Sequence, residues 1–247
     1  MKPSDLTILF DNHDPAGGPR TLWGFAALVR VNGQRLLFDT GSNGPALLRG
    51  MRAQGVDPAT LDQVFLSHQH WDHIGGLDAV LDANPGVSCV LHDGFSAHLV
   101  EDIDGLCGEL IVVGAEPREL APGVFSTGRL EGPPDEQALV IDTGAGIALV
   151  SGCAHPGIET LVARARALAD APVRWVIGGL HLMRAESVEI AATVTALRDL
   201  GVEWVLPTHC TGAAGVAACQ RLYGGHALGG GIGARVDFAA LGATAQR

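Results

Sequence analysis

The stretch Ser67 to Gly76 reads SHQHWDHIGG and carries three histidines and one aspartate within six positions. His68 and His70 are two residues apart, so in an extended segment they point the same way. Asp72 and His73 follow one short turn later and face a second point nearby. A metal site needs several neutral imidazoles and carboxylates converging on one spot. H-x-H-x-D-H therefore reads as half the ligands of two adjacent metal ions. Gly75 and Gly76 let the chain turn tightly into the next helix. The bland alternative is a polar loop whose histidines bond to backbone. Four ligand-type residues directly after the apolar VFL argue against it.

Working outward, other groups must complete the shells. His209, in LPTHCTG, ends an apolar run in the second half and reads as a ligand. His155, in VSGCAHPG, reads as a ligand or as a helix-start residue bonded to backbone. Cys153 is a thiolate ligand or a buried thiol beside a glycine. His181, in GGLHLM, reads as substrate-facing, with ligation or ordinary burial as alternatives. Asp39, in LLFDTG, either fixes the tautomer of a ligand histidine from behind or simply forms a turn. His13, His92, His98 and His226 have no supporting pattern and are expected to be structural or superficial.

The pattern around these residues is that of an α/β domain. WGFAALVRV and QRLLFDTG flank Asn32-Gly33, a hairpin signal because both turn residues tolerate positive φ. GPALLRGMRAQG and GGLDAVLDANPG read as helices, and LTILF, DQVFLSH, VSCVLHD, ELIVV and GVFSTG as strands. The second half repeats the order. QALVIDTGAGIALVSGC is a hairpin, AHPGIETLVARARALAD a helix with Pro156 near its start, VRWVIGG a strand, ESVEIAATVTALRDLG a helix and EWVLPTH a strand. VFLSH and VLPTH share an apolar run ending in a hydroxyl residue and histidine. These pairs predict an internal pseudo-duplication within a single domain spanning residues 1–247. The hairpins favour mixed, largely antiparallel pairing over a doubly wound sheet. Two sheets face to face with helices outside both would set the strand-end histidines along one edge.

Bulk properties narrow the partners. The chain has 247 residues, 47% of them hydrophobic, with a formal net charge of −11 and Lys2 as the only lysine. A polyanion would be repelled, which argues against nucleic acid. A small anionic substrate remains compatible if a metal supplies positive charge. No apolar run reaches the roughly 18 residues a membrane span needs, and MKPSDLTILFDNHD lacks the organisation of a signal peptide. The five cysteines, at 89, 107, 153, 210 and 219, include no C-x-x-C pair. A reducing, cytoplasmic setting is expected. Cys153 and Cys210 each lie close to a histidine and stand apart from the other three, which read as core.

Together LLFDTG, SHQHWDHIGG, SGCAHPGI and PTHCTG resemble the metallo-β-lactamase-fold superfamily of metallohydrolases. GCAHPG, GGLHL and HCTG resemble, more narrowly, the branch named for dihydropterin–ribofuranosylaminobenzene-phosphate synthase. The resemblance runs from about residue 6 to about 238. It implies a four-layer αββα sandwich with internal pseudo-symmetry and one or two divalent metals, zinc first, with manganese or iron as alternatives. It would place His68 and His70 on one metal, Asp72 and His73 on the other, and His209 as the last ligand. Two departures stand out. FSTGRLEG has no histidine where many members carry one, and Cys153 replaces a metal-bridging aspartate. His155 is a candidate replacement for the missing ligand.

A divalent metal lowers the pKa of its water from about 15.7 to about 7, so the expected chemistry is hydrolysis of a small ester, phosphoesters ahead of lactones or thioesters. Asp72 would orient the attacking water, and His181 would help stabilise charge developing on the substrate. The rival readings are a pterin-related transferase displacing pyrophosphate, a degenerate non-catalytic metal- or ligand-binding member, and an iron oxygenase acting on persulfides. For a pterin, Trp23 and Trp71 are the aromatic candidates near the site. Oligomeric state is not legible in the sequence.

Overall fold

The computed structural model describes residues 4–15, 21–168 and 171–244. The first strands are β1 (Asp5–Phe10), β2 (Ala26–Val31) and β3 (Gln34–Phe38), an antiparallel meander. The β2–β3 turn has Asn32 at φ 51° and Gly33 at φ 89°, both in the left-handed region as the Asn-Gly pair predicts. Helix α1 (Gly44–Ala53) begins where the Asn43 side chain accepts from the Ala46 N–H at 3.0 Å, and buries Leu47 and Met51 four residues apart. Strand β4 (Gln63–Phe65) then joins β3 in parallel.

Beyond β4 come α2 (Trp71–Ile74), α3 (Leu77–Ala83), β5 (Ser88–His92), α4 (Ala97–Asp104) and β6 (Glu109–Val113), with β5 and β6 extending the parallel part of the sheet. The second sheet opens with β7 (Arg118–Ala121), β8 (Val124–Ser126), β9 (Leu139–Asp142) and β10 (Ile147–Ser151), all antiparallel. After α5 (Ile158–Leu168), β11 (Val173–Gly178) pairs parallel with β10. After α6 (Ser187–Asp199), β12 (Trp204–Pro207) pairs parallel with β11. Helix α7 (Gly212–Tyr223), strand β13 (Arg235–Asp237) and helix α8 (Phe238–Thr244) follow, and β13 closes the first sheet beside β1. The sheets run β13-β1-β2-β3-β4-β5-β6 and β12-β11-β10-β9-β8-β7.

Three apolar layers hold this together. Phe38, Phe65, Val150, Trp175 and Leu206 belong to one buried cluster drawn from both sheets. Leu47, Met51 and Val80 of α1 and α3 pack on the outer face of the first sheet. Leu161, Val194 and Ala218 of α5, α6 and α7 cover the second. The result is the expected αββα order, and each fully buried aliphatic or aromatic side chain contributes about 1.5–3 kcal/mol.

Three expectations need adjusting. The pairings among the described strands are nearly balanced, six antiparallel to five parallel, because each hairpin hands over to parallel βα units. The repeat of hairpin, helix and parallel strand is present, but the strand in the position of β4 is β11. VLPTH lies one βα unit further out, and a five-residue likeness could not reveal the unit between. Asp72 and His73 sit on the single helical turn α2 rather than in a loop. Helices α4 and α7 give little sequence signal because they bury only Ile103 and only Gly215, Ala218 and Cys219 respectively. Among the described residues no helix is long and apolar enough to cross a membrane.

Gly178 ends β11 at φ 115°, opposite Ser151 on β10, and a Cβ there would run into the Ser151 carbonyl oxygen. Gly55 also has positive φ, 67°, but faces open space. In urea denaturation Gly178→Ala is expected to cost about 2 kcal/mol or more, and Gly55→Ala about 1 kcal/mol or less. Equal losses would contradict this account of the β10–β11 junction.

Candidate metal centre

The site forms where strands of both sheets end on one edge. Strand β3 runs into Asp39, β4 into Ser67 and His68, β10 into Cys153 and His155, β11 into His181 and β12 into His209, while α2 supplies Asp72 and His73. Several of these residues have left-handed backbones: Asp39 (φ 52°), Ala154 (60°), His181 (55°) and His209 (51°). Non-glycine residues rarely adopt this region, and such outliers cluster at functional sites.

Asp39 is fully buried and sits behind both metal-facing histidines. Its Oδ1 accepts from the Ser67 N–H at 2.7 Å, and its Oδ2 accepts from the Ser67 hydroxyl at 2.8 Å and from His73 Nδ1 at 2.6 Å. Because the Ser67 hydroxyl gives its hydrogen to Asp39, it accepts from His68 Nδ1, 2.9 Å away. Both imidazoles thus carry a proton on Nδ1 and turn Nε2 toward the site. On the other side, Asn12 Oδ1 accepts from His209 Nδ1 at 3.2 Å, which turns His209 Nε2 toward the site as well. Asp11, which accepts from the Thr208 hydroxyl, ties the same loop down.

This geometry sets ring nitrogens face to face. His73 Nε2 lies 3.2 Å from His209 Nε2, and His68 Nε2 lies 3.1 Å from His70 Nδ1. His155 Nε2 is buried without a hydrogen-bond partner among the described residues. Two nitrogens bound at 2.0–2.1 Å to one tetrahedral ion stand about 3.3 Å apart, so the spacing suits a shared cation. Among the described residues five groups of three have donor atoms mutually within 4.8 Å, and two of them are His68, His70 and His155, and Asp72, His73 and His209. Cys153 lies between them, its Sγ 3.3 Å from His73 Nε2, and groups with His68 and His73. The donors fit divalent metal in both sets.

Electrostatics support the same division. Burial and neighbouring imidazoles push His68 well down, and burial, then His181 and His70, bring His155 to about 3. Burial also opposes charge on His73, but Asp39, Asp72 and Glu136 outweigh it and lift His73 to about 9. Burial would raise Asp72, yet its bond to His209 and the charge of His73 hold it at about 2. The Cys153–Cys210 contact raises the thiol of Cys153 and lowers that of Cys210.

All the sequence-predicted site residues converge here, including Asp39 in its backing position. His181 is exposed, 4.5 Å ring to ring from His155. Trp23 stands 5.1 Å from the His209 ring, whereas Trp71 faces away, into a hollow of about 770 Å³ between α3 and α4. That hollow is the larger, but the imidazoles line a different one of about 290 Å³. The sequence reading left Cys210 outside the ligand set, although its donor atom lies within 4.8 Å of those of Cys153 and His209. It also missed Glu136, whose buried carboxylate accepts from the N–H groups of Gly152, Cys153, Ala154 and His155 at 2.8–3.0 Å. Burial raises its pKa against those bonds. No spacing rule marks either residue. Only adjacency to His209 singles out Cys210.

With His73 at about 9, metal binding at pH 7.5 must displace a proton from it, and this release fades as pH rises above 9. Asp39→Asn is expected to weaken zinc affinity about 10–100-fold and to reduce proton release at pH 7.5. Calorimetry in buffers of different ionisation enthalpy measures both. Unchanged affinity and proton count would refute the orienting role of Asp39.

The profile of the metallo-β-lactamase superfamily matches residues 24–209. A 7,8-dihydropterin-6-methyl-4-(β-D-ribofuranosyl)-aminobenzene-5′-phosphate synthase from Methanocaldococcus jannaschii is 32% identical over 85% of this chain and 89% of its own. Among solved structures, Tm1679, described as a metal-dependent hydrolase of the β-lactamase superfamily, superposes with a TM-score of 0.77 at 26% identity, covering 94% of this chain and 98% of the other. YhfI from Bacillus subtilis, at 17% identity and a TM-score of 0.71, covers 95% and 99% and shares the fold. The chain belongs to the metallo-β-lactamase superfamily.

Proposed function

We propose that this protein is a metal-dependent hydrolase of a small ester, with phosphoesters as the first substrate class and two zinc ions as the first cofactor. The facing ring nitrogens of His68 and His70 and of His73 and His209, gathered with His155 and Asp72 around two points, carry this reading. Divalent ions held there would supply a water acidified to near neutrality and positive charge for the developing oxyanion. Asp72, held at about 2, stays ionised across the working pH range, so it accepts a hydrogen bond from the attacking water and aims it. Its Oδ2 is 3.6 Å from His73 Nε2 and 3.4 Å from His209 Nε2. His181 lines the open cavity, where Cys210 helps hold its proton, and is placed to donate to a leaving group.

A second reading is a pterin-related transferase that displaces pyrophosphate. The 32% identity to the synthase favours it, as does Trp23 as a stacking surface in the cavity. Both readings use the same metal ligands.

The test is a rate panel on zinc- and manganese-loaded protein with phosphate mono-, di- and triesters, a carboxylate ester, a lactone and a thioester. Phosphoester turnover is expected, lowered at least about 1000-fold in His68→Ala. His181→Gln should slow alkyl esters more than p-nitrophenyl esters, whose leaving group needs no proton. Metal-loaded protein inert across the panel, but releasing pyrophosphate from a pterin pyrophosphate, would favour the transferase.

A further inference from the structure

The metal ligands account for the floor of the 290 Å³ cavity but not for its mouth, where Trp23, Met183 and Arg184 stand. Among the described residues Arg184 is the only arginine or lysine lining it. The side chain is exposed and has no ion pair or hydrogen bond with any described residue. Trp23 and Met183 are 38% and 46% exposed, two of the few large apolar side chains left open to solvent. An aromatic face, a thioether and an unpaired guanidinium around one opening are a recognisable binding combination.

The turn that presents Met183 and Arg184 is anchored by hydrogen bonds. Leu182 is buried, and Ala185 N–H donates to Leu182 O at 3.2 Å, so Met183 and Arg184 occupy the two central positions of a turn. Met183 N–H donates to Cys210 O at 3.0 Å, and Leu180 N–H to Thr211 Oγ1 at 3.0 Å. Gly212, at φ 68°, lets Met183 press against the backbone, since a Cβ there would sit 2.8 Å from the Met183 Cα. Arg184 is near enough to His181 to oppose its positive charge. On a chain of net charge −11, a cation beside the opening is a local exception.

We propose that Arg184, with Trp23 and Met183, forms a distal subsite selecting substrates whose non-reacting end is an apolar or aromatic body bearing an oxyanion, carboxylate or phosphate. The metals neutralise the reacting group. Arg184 pairs with the second anion through its planar fork, while Trp23 and Met183 cover the body between. The inference rests on the reading of the cavity as a substrate site, not on hydrolysis as its chemistry.

The test compares probes differing only at the distal end, with zinc-loaded protein throughout. Titration calorimetry uses phenylphosphonate, 4-carboxyphenylphosphonate and 1,4-phenylenediphosphonate, so binding is read even if nothing turns over. The charged probes are expected to bind more tightly, and Arg184→Gln to weaken them about 5–30-fold while leaving phenylphosphonate within 2-fold. The preferred charged probe identifies the anion. In turnover, Arg184→Gln should raise KM for 4-carboxyphenyl p-nitrophenyl phosphate by a similar factor with kcat unchanged, and spare phenyl p-nitrophenyl phosphate. Equal effects on charged and uncharged probes, or none on either, would overturn the subsite. Failure of hydrolysis alone, with the binding difference intact, would overturn only the hydrolase reading.

Discussion

At the end of β3 the Asp39 carboxylate, fully removed from solvent, accepts three hydrogen bonds and connects two histidines that belong to different metal sets. A buried anion is costly unless every lone pair is engaged. Here each bond also sets a proton position. His73 is reached directly and His68 through Ser67, so one charge turns both Nε2 atoms inward. The left-handed backbone at Asp39 is strained, yet that conformation, on the strand beside β4, brings the carboxylate within reach of Ser67.

A second buried carboxylate does the corresponding work for the other sheet. Glu136 gathers four consecutive N–H groups from Gly152 to His155 and so bends the chain after β10 into the loop that presents Cys153 and His155. The mouth of the cavity follows a third logic. It is built by Trp23 ahead of β2 and by the turn after β11, which is tied by hydrogen bonds to the Cys210 carbonyl and the Thr211 hydroxyl after β12.

Much of this was legible in the sequence because several candidate ligands follow strand ends, and strand ends are marked by apolar runs stopping at polar residues. VFLSH, VSGCAH and VLPTH all follow this form, and each delivers a histidine to the site. The Asn32-Gly33 hairpin was equally legible, since its turn demands positive φ. What stayed hidden depends on contacts between distant segments. Glu136 is an ordinary glutamate in EGPPDEQ until the chain folds around it. Cys210 is one residue from a ligand, but only the approach of Cys153 gives it meaning. Likewise the partner of β4 in the repeat is set by sheet order, which a short matching string does not encode.

The account stands or falls on which nitrogens face the metal. Anomalous diffraction at the zinc edge from metal-loaded crystals measures this directly. The expected result is one zinc among His68 Nε2, His70 and His155 and a second among Asp72, His73 Nε2 and His209 Nε2, with Asp39 still bonded to His73 Nδ1. Zinc bound through Nδ1 of His68 or His73, or anomalous density only outside these two sets, would contradict it.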